Sequence, residues 1–186
     1  TTDVDDFTRQ LTVTQTRDTL IDRSYTMTRI KKEHIHYVAH GLALTVRTPK
    51  KNQMTVRFLV SNNNIAYRYE LPLMNDGETQ IIKVYSEASS FRFPEHTTTF
   101  LSPQITPMTG WKRSKPSYEE EYVPDAPMAT KSKFGVGYTF PCLFKIVDGV
   151  APGESGKKLA RTNEYWVLVS ETGVTSQYCG SRLSDY

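Results

Sequence analysis

The sequence lacks a long apolar run, a strong charge of one sign and a cysteine framework. No stretch approaches the roughly 18 consecutive apolar residues of a membrane-spanning helix, so we expect no membrane span. The 23 Lys and Arg residues nearly balance the 20 Asp and Glu residues, leaving a net charge of +3. Because nucleic-acid binding needs a concentrated basic surface, we expect no nucleic-acid partner. Two cysteines in 186 residues are too few for a disulfide-rich scaffold, and the sequence leaves open whether Cys142 and Cys179 pair.

Helical periodicity is missing too, whereas apolar and polar residues often alternate. The clearest alternating runs are residues 54–60 and 65–71, separated by Ser-Asn-Asn-Asn at residues 61–64. Asn tolerates positive φ and bonds its own backbone, so this spacing predicts a β-hairpin. Further strand candidates are residues 36–46, 79–85, 89–93, 138–147 and 165–170. The pattern predicts an all-β fold of antiparallel sheets with long loops, most simply a sandwich.

Prolines and one apolar run refine this prediction. Pro141 lies inside the candidate strand 138–147, and it predicts an edge position or a bulge because proline cannot donate to a ladder. Residues 102–133 contain five prolines and predict a long connection. The run at residues 165–170 is almost entirely apolar, which predicts a strand buried on both faces.

Three histidines form the pattern His-x-His-x-x-x-His at His34, His36 and His40. Residues i and i+2 share one face of a strand, so the first two could hold one metal ion. A cupin-type site with this spacing also needs a Glu soon after the third His and a later His, but Gly-Leu-Ala-Leu follows His40 and no His comes after His96. The pattern therefore favours surface or cross-strand histidines over a metal site.

Aromatic and acidic residues occur together between residues 111 and 122. Three consecutive glutamates begin at Glu119 and lie between Tyr118 and Tyr122. Glycoside hydrolysis requires two separated carboxylates, and a run of three in a loop is more typical of a solvated segment. Trp and Tyr rings stack on sugar rings, so Trp111, Tyr118 and Glu119 are the candidates for contact with a carbohydrate. The pattern assigns no catalytic residue.

Glu171 directly follows the apolar run at residues 165–170. A carboxylate at the end of a strand can reach a ligand or a neighbouring domain, and Ca²⁺ prefers carboxylate oxygens. The alternative is a loop carboxylate that accepts hydrogen bonds from nearby backbone amides. The residues alone favour this second interpretation.

Several segments together resemble the N-terminal domain of glycoside hydrolase family 97. Residues 58–69, FLVSNNNIAYRY, are similar to the family signature F-x-x-x-N-D-G-x-A-[FY]-R-[FY]. The other matching segments follow in order at residues 91–94, 117–119, 138–144, 166–171 and 178–181. The resemblance covers about residues 25–186. It departs from the family where Asn63 and Asn64 replace Asp and Gly, although Asn also tolerates positive φ.

The resemblance implies a fold and an enzyme. It implies a β-super-sandwich of the galactose-mutarotase type, with residues 1–186 as a single, incomplete N-terminal domain that packs on a catalytic (β/α)₈ barrel outside this sequence. It implies an exo-acting α-glycosidase, either an inverting α-glucosidase or a retaining α-galactosidase, acting on α-linked oligosaccharides in the periplasm or outside the cell. It also implies a Ca²⁺ ion held mainly by glutamates, with Glu171 as the matching residue. The alternative is a stand-alone carbohydrate-binding β-sandwich.

Overall fold

The computed structural model describes residues 1–72, 81–105, 120–148, 163–178 and 180–185. Within these ranges the chain forms strands and no helix, so no described helix is long and apolar enough to cross a membrane. The strands are β1 (Thr12–Thr26), β2 (His34–Arg47), β3 (Gln53–Val60), β4 (Ile65–Glu70), β5 (Thr98–Pro103), β6 (Val123–Pro127), β7 (Tyr138–Asp148) and β8 (Asn163–Val169). Two compact units, Thr1–Ser89 and Ser90–Tyr186, contain one antiparallel four-stranded sheet each. This architecture confirms the predicted all-β class of antiparallel sheets. The prediction of one incomplete domain over residues 1–186 stays a prediction.

The first sheet has the simple order β1-β2-β3-β4. Its β3–β4 hairpin confirms the prediction, and the amide of Ser61 closes the turn by donating to the carbonyl of Asn64 at 2.9 Å. Strand β2 confirms the candidate at residues 36–46 and extends it at both ends. Strand β1 has no counterpart among the predicted strands, because most of its 15 residues are polar and nearly all of them are exposed.

The core of the first unit lies where the N-terminal segment meets the turn between β2 and β3. Phe7, Val46 and Met54 form a buried cluster there. Farther along the unit, the predicted strand at residues 79–85 is wrong in its described part, since residues 81–85 form only one isolated bridge, between Val84 and Thr2. Residues 79 and 80 lie outside the described residues.

The second sheet has the order β6-β5-β7-β8. Its core contains the buried residues Leu101, Tyr138, Cys142 and Phe144. Phe93 stacks on Phe144 with ring centroids 4.4 Å apart, while residues 89–93 form no strand. The strand predicted there is therefore wrong, because these aromatic residues contribute through side-chain packing and not through a ladder.

Strand β7 is central in this sheet, between β5 and β8. The register between β5 and β7 shifts between Phe100 and Ser102, opposite the cis Phe140–Pro141 peptide bond. The bulge predicted from Pro141 is confirmed, and the alternative of an edge position is wrong. Cys142, next to this bulge, is fully buried and carries a free thiol.

The two edge strands differ from the sequence prediction. Strand β8 lies at one edge, and its Trp166 is 52% exposed, so the prediction of a strand buried on both faces is wrong. Strand β6 lies at the other edge and contains Pro124 and Pro127. It forms inside the segment at residues 102–133 that was predicted to be only a connection.

Candidate functional site

Three of the predicted site residues, Trp111, Tyr118 and Glu119, lie outside the described residues. The acidic segment enters the described part of the chain at Glu120. The buried hydroxyl of Ser102 donates to the carbonyl of Glu120 at 2.8 Å and accepts from its amide at 3.0 Å. This pair of hydrogen bonds fixes the backbone at the middle residue of the acidic run to β5, so the segment is anchored at that point.

Glu171 lies two residues beyond the end of β8, in the loop that leads to residue 181. Its atom Oε1 accepts three hydrogen bonds of 2.7 Å, from the hydroxyl of Tyr178 and from both the amide and the hydroxyl of Ser181. Among the described residues, its second oxygen, Oε2, has no hydrogen-bond partner. The loop therefore orients the carboxylate by one oxygen and leaves the other available.

The environment of Glu171 keeps its carboxylate ionised. Partial burial by itself would raise the pKa of this carboxyl group, but the hydrogen bonds from Ser181 and Tyr178 outweigh it and hold the pKa below its ordinary value. Hydrogen bonds to the charged form favour that form. Glu171 thus presents a negative oxygen at neutral pH, and no cation of the described residues pairs with it.

Glu171 fits a hard cation as one ligand among several. Ca²⁺ takes about six to eight oxygen ligands, and the described residues contain no group of three or more His, Cys, Asp or Glu side chains that could hold a metal ion. A complete site would need further oxygens from outside this part of the chain. The sequence prediction placed Glu171 correctly at a strand end, but it missed Tyr178 and Ser181 as its partners.

The histidines at the start of β2 make cross-strand contacts instead of converging. His36 lies with Nε2 2.7 Å from Oδ1 of Asp22 on β1, and Nδ1 of His34 lies 3.4 Å from the hydroxyl of Thr26. Both histidines line a shallow cleft of about 270 Å³ at this end of the hairpin. These contacts agree with the interpretation as surface histidines, and His40 is exposed in a different row of the sheet.

Comparison with known proteins supports the resemblance found in the sequence. The family model described as "Glycosyl-hydrolase 97 N-terminal" matches residues 1–155. The chain belongs to this family. A structure titled "Crystal structure of beta-arabinopyranosidase" shares 48% sequence identity with it at a TM-score of 0.81. That match covers 100% of this chain and 27% of the other. No match was found among curated proteins.

Membership of the glycosyl-hydrolase 97 N-terminal family agrees with the predicted super-sandwich class. The chain spans 27% of the length of the matching arabinopyranosidase, so it corresponds to a part of that longer protein. The family match ends at residue 155, whereas the structural match continues over β8 and the loop of Glu171. The candidate ligand therefore lies in a part of the chain that the solved structure shares.

Proposed function

We propose that this chain is the N-terminal domain of an exo-acting glycoside hydrolase, and that it packs on a catalytic (β/α)₈ barrel and supplies Glu171 to a Ca²⁺ ion at the substrate pocket. The observation that carries the proposal is the carboxylate of Glu171, held at Oε1 by Tyr178 and Ser181 and open at Oε2. A carboxylate oriented in this way binds a cation without first losing rotational freedom.

The chemistry of bond cleavage belongs to the barrel in this proposal. The ion, when bound, would act as a Lewis acid and a template for the sugar. Glu171 would hold one side of the ion, while Ser181 and Tyr178 fix the direction of the carboxylate. Trp111, Tyr118 and Glu119 would form part of the pocket rim. We therefore expect residues 1–186 alone to have no hydrolytic activity.

The terminal sugar that we propose is a galacto-configured pyranoside. The matching structure is titled as a beta-arabinopyranosidase, whereas the sequence resemblance implies an α-glucosidase or an α-galactosidase. A β-L-arabinopyranoside has the same ring configuration as an α-D-galactopyranoside that lacks C6, although the two carry opposite anomeric labels. The shared configuration favours the α-galactoside type of substrate over the α-glucoside type. An oligosaccharide ending in such a sugar would be met in the periplasm or outside the cell.

The experiment uses the intact protein that contains this chain. We expect turnover of nitrophenyl β-L-arabinopyranoside or α-D-galactopyranoside to exceed that of the α-D-glucopyranoside, and we expect a chelator to abolish it reversibly. Glu171→Gln should weaken Ca²⁺ binding and lower kcat/KM by about tenfold or more. Mutating a residue that only hydrogen-bonds a metal ligand already lowers metal affinity or activity by about that factor. Glu164→Gln is the matched control, because Glu164 is an exposed carboxylate of β8 that pairs with Lys145.

Two results would contradict the proposal. Ca²⁺ content and turnover that are unchanged in Glu171→Gln would remove the metal role of this residue. A protein without hydrolytic activity whose glycan binding is abolished by Trp111→Ala would instead be a stand-alone carbohydrate-binding module.

A further inference from the structure

Three arginines lie in one row across the first sheet. The register pairs Arg17 of β1 with Ala43 of β2, Ala43 with Arg57 of β3, and Arg57 with Arg68 of β4. Residues directly opposite one another in antiparallel strands place their side chains on the same face. The row therefore crosses the whole sheet on one face, with a small side chain at its second position.

One glutamate partly neutralises this row. Glu70 receives two hydrogen bonds from Arg57, at 3.0 and 2.9 Å, and one from Nε of Arg68, at 2.7 Å. Like charges placed directly opposite one another destabilise a sheet, and Glu70 offsets that repulsion between Arg57 and Arg68. Arg17 is exposed and has no ion pair among the described residues. Three arginines against one glutamate leave an excess of positive charge on this face.

The surroundings of the row are suited to a ligand with both charge and hydroxyl groups. The next row on the same face holds Gln15 of β1, Thr45 of β2 and Thr55 of β3. The hydroxyl oxygens of Thr45 and Thr55 lie 3.1 Å apart. Rows on one face of a strand are about 7 Å apart, which is comparable to the width of a sugar ring. Ala43 lies between Arg17 and Arg57 in the row, so only a small side chain separates the two arginines.

We propose that Arg17 and Arg57 bind the carboxylate of a uronic acid in an acidic oligosaccharide, above Ala43, with Thr45 and Thr55 facing the hydroxyl groups of the sugar. The guanidinium group of Arg17 matches a planar carboxylate because it can donate two parallel hydrogen bonds. Arg57, whose Nε and Nη2 already donate to Glu70, adds its positive charge and its remaining N–H groups. The choice of ligand rests on the proposed function, since a glycoside hydrolase meets carboxylates mainly as uronic acids of its polysaccharide. The surface would hold a charged branch of the polymer while a neutral terminal sugar is cleaved elsewhere.

The experiment is calorimetric titration of the intact protein with tri-galacturonate, with a neutral galactotriose of equal length, and with sodium sulfate. We expect tri-galacturonate to bind, the neutral sugar to bind at least about tenfold more weakly, and added salt to weaken the binding of tri-galacturonate. Arg17→Gln should lower the affinity about tenfold to a hundredfold, the range for a hydrogen bond between charged groups.

The matched control is Arg23→Gln. Arg23 is an exposed arginine on the same strand and the same face, and its six-residue separation from Arg17 places it about 20 Å away. We expect Arg23→Gln to leave the affinity unchanged, and both variants to keep the wild-type melting temperature. Turnover of the small nitrophenyl glycosides should be unchanged in both, which separates this surface from the proposed active site.

Three outcomes would overturn the inference. Equal affinities for the charged and the neutral trisaccharide would remove the role of the carboxylate. Sulfate that binds as tightly as tri-galacturonate would show an anion site without sugar recognition. Absence of binding together with a lower melting temperature of Arg17→Gln would show that an acidic segment of the protein itself covers the row. Binding of tri-galacturonate by a protein that cleaves no tested glycoside would contradict the proposed function and not this inference.

Discussion

The carboxylate of Asp5 accepts a hydrogen bond of 2.6 Å from the hydroxyl of Thr48, although 43 residues separate the two in sequence. The side-chain amide of Asn52 donates to the same oxygen at 2.9 Å. Asp5 is 9% exposed and Thr48 is 4% exposed. These contacts attach the N-terminal segment to the turn between β2 and β3, directly beside the buried cluster of the first unit.

Asp5→Ala should lower the free energy of unfolding of the chain by about 2 kcal/mol at neutral pH, because it leaves the buried hydroxyl of Thr48 without its acceptor. The hydrogen bonds from Thr48 and Asn52 lower the pKa of Asp5 from 3.8 to about 2. A depressed pKa contributes stability that is present above the unfolded value and is lost as the pH falls through the folded value. The difference between wild type and Asp5→Ala should therefore shrink between about pH 4 and pH 2.

Urea unfolding at a series of pH values measures this difference. Asp18→Ala is the control, because Asp18 is exposed on β1 and has no described partner. An effect of Asp18→Ala equal to that of Asp5→Ala, or a difference that is independent of pH down to 2, would contradict the assigned role of the buried carboxylate.

Gly137 should not accept a side chain. Its φ is +106°, and a Cβ atom there would lie 2.0 Å from the carbonyl oxygen of Leu183. Tyr138 and Leu183 form an isolated bridge at this point, so the clash would push the C-terminal segment away. We expect Gly137→Ala to destabilise the chain by about 3 kcal/mol, as backbone strain and steric overlap add.

Gly135→Ala separates these two contributions. Gly135 also has a positive φ, of +68°, but a Cβ atom there would meet nothing within 4 Å. Gly135→Ala should lower the free energy of unfolding by about 1 kcal/mol, which is the contribution of backbone strain alone. Thermal unfolding of Gly137→Ala and Gly135→Ala measures the two losses of stability. Equal losses of stability would mean that the carbonyl of Leu183 moves aside without an energetic cost.

Cys142 should be unreactive in the folded protein. Its side chain is fully buried, and burial raises the pKa of its thiol to about 12. The thiolate is the nucleophile in alkylation, so neither access nor ionisation is available at pH 8. In a Cys179→Ser background, iodoacetamide should label Cys142 only after denaturant is added, as followed by mass spectrometry. Native labelling at the rate of an unfolded reference peptide would contradict the burial.

Ser181→Ala should move the titration of Glu171. The hydroxyl of Ser181 donates one of the three hydrogen bonds to Oε1, and such bonds favour the charged form. Its removal should raise the pKa of Glu171 toward the ordinary value, which carbon-detected NMR titration of the carboxyl group measures. In the control Ser170→Ala, the lost hydroxyl bonds the backbone carbonyl of Glu171, and the pKa should not change. An unshifted pKa in Ser181→Ala would mean that Tyr178 and the amide of Ser181 suffice.

The elements that the sequence predicted well are those in which one face is apolar. The β3–β4 hairpin has both strict alternation and an Asn turn, and both signals are local. Strand β1 lacks both signals because its few apolar residues do not alternate regularly with polar ones. Its position depends on pairing with β2 along 14 register partners. Strand β6 contains two prolines, which argue against a strand until its place at an edge is known.

The residues of the candidate site also include some that the sequence could predict and some that it could not. Glu171 could be located because it ends an apolar strand, but its partners Tyr178 and Ser181 are seven and ten residues farther along a loop without periodicity. Their segment was nonetheless among those that resemble the family, which was the available signal. The arginine row could not be predicted, since Arg17, Arg57 and Arg68 become neighbours only through the register of four strands.

The unequal edges of the second sheet have a practical consequence for handling this chain. On β6, Pro124 and Pro127 have no amide hydrogen to donate, so pairing of a further strand along that edge is disfavoured. Strand β8 contains neither Pro nor Gly and exposes Leu168 at 63%. In concentrated preparations of residues 1–186 we expect self-association to begin along β8. Leu168 is accordingly the position at which a lysine would protect solubility without touching the core.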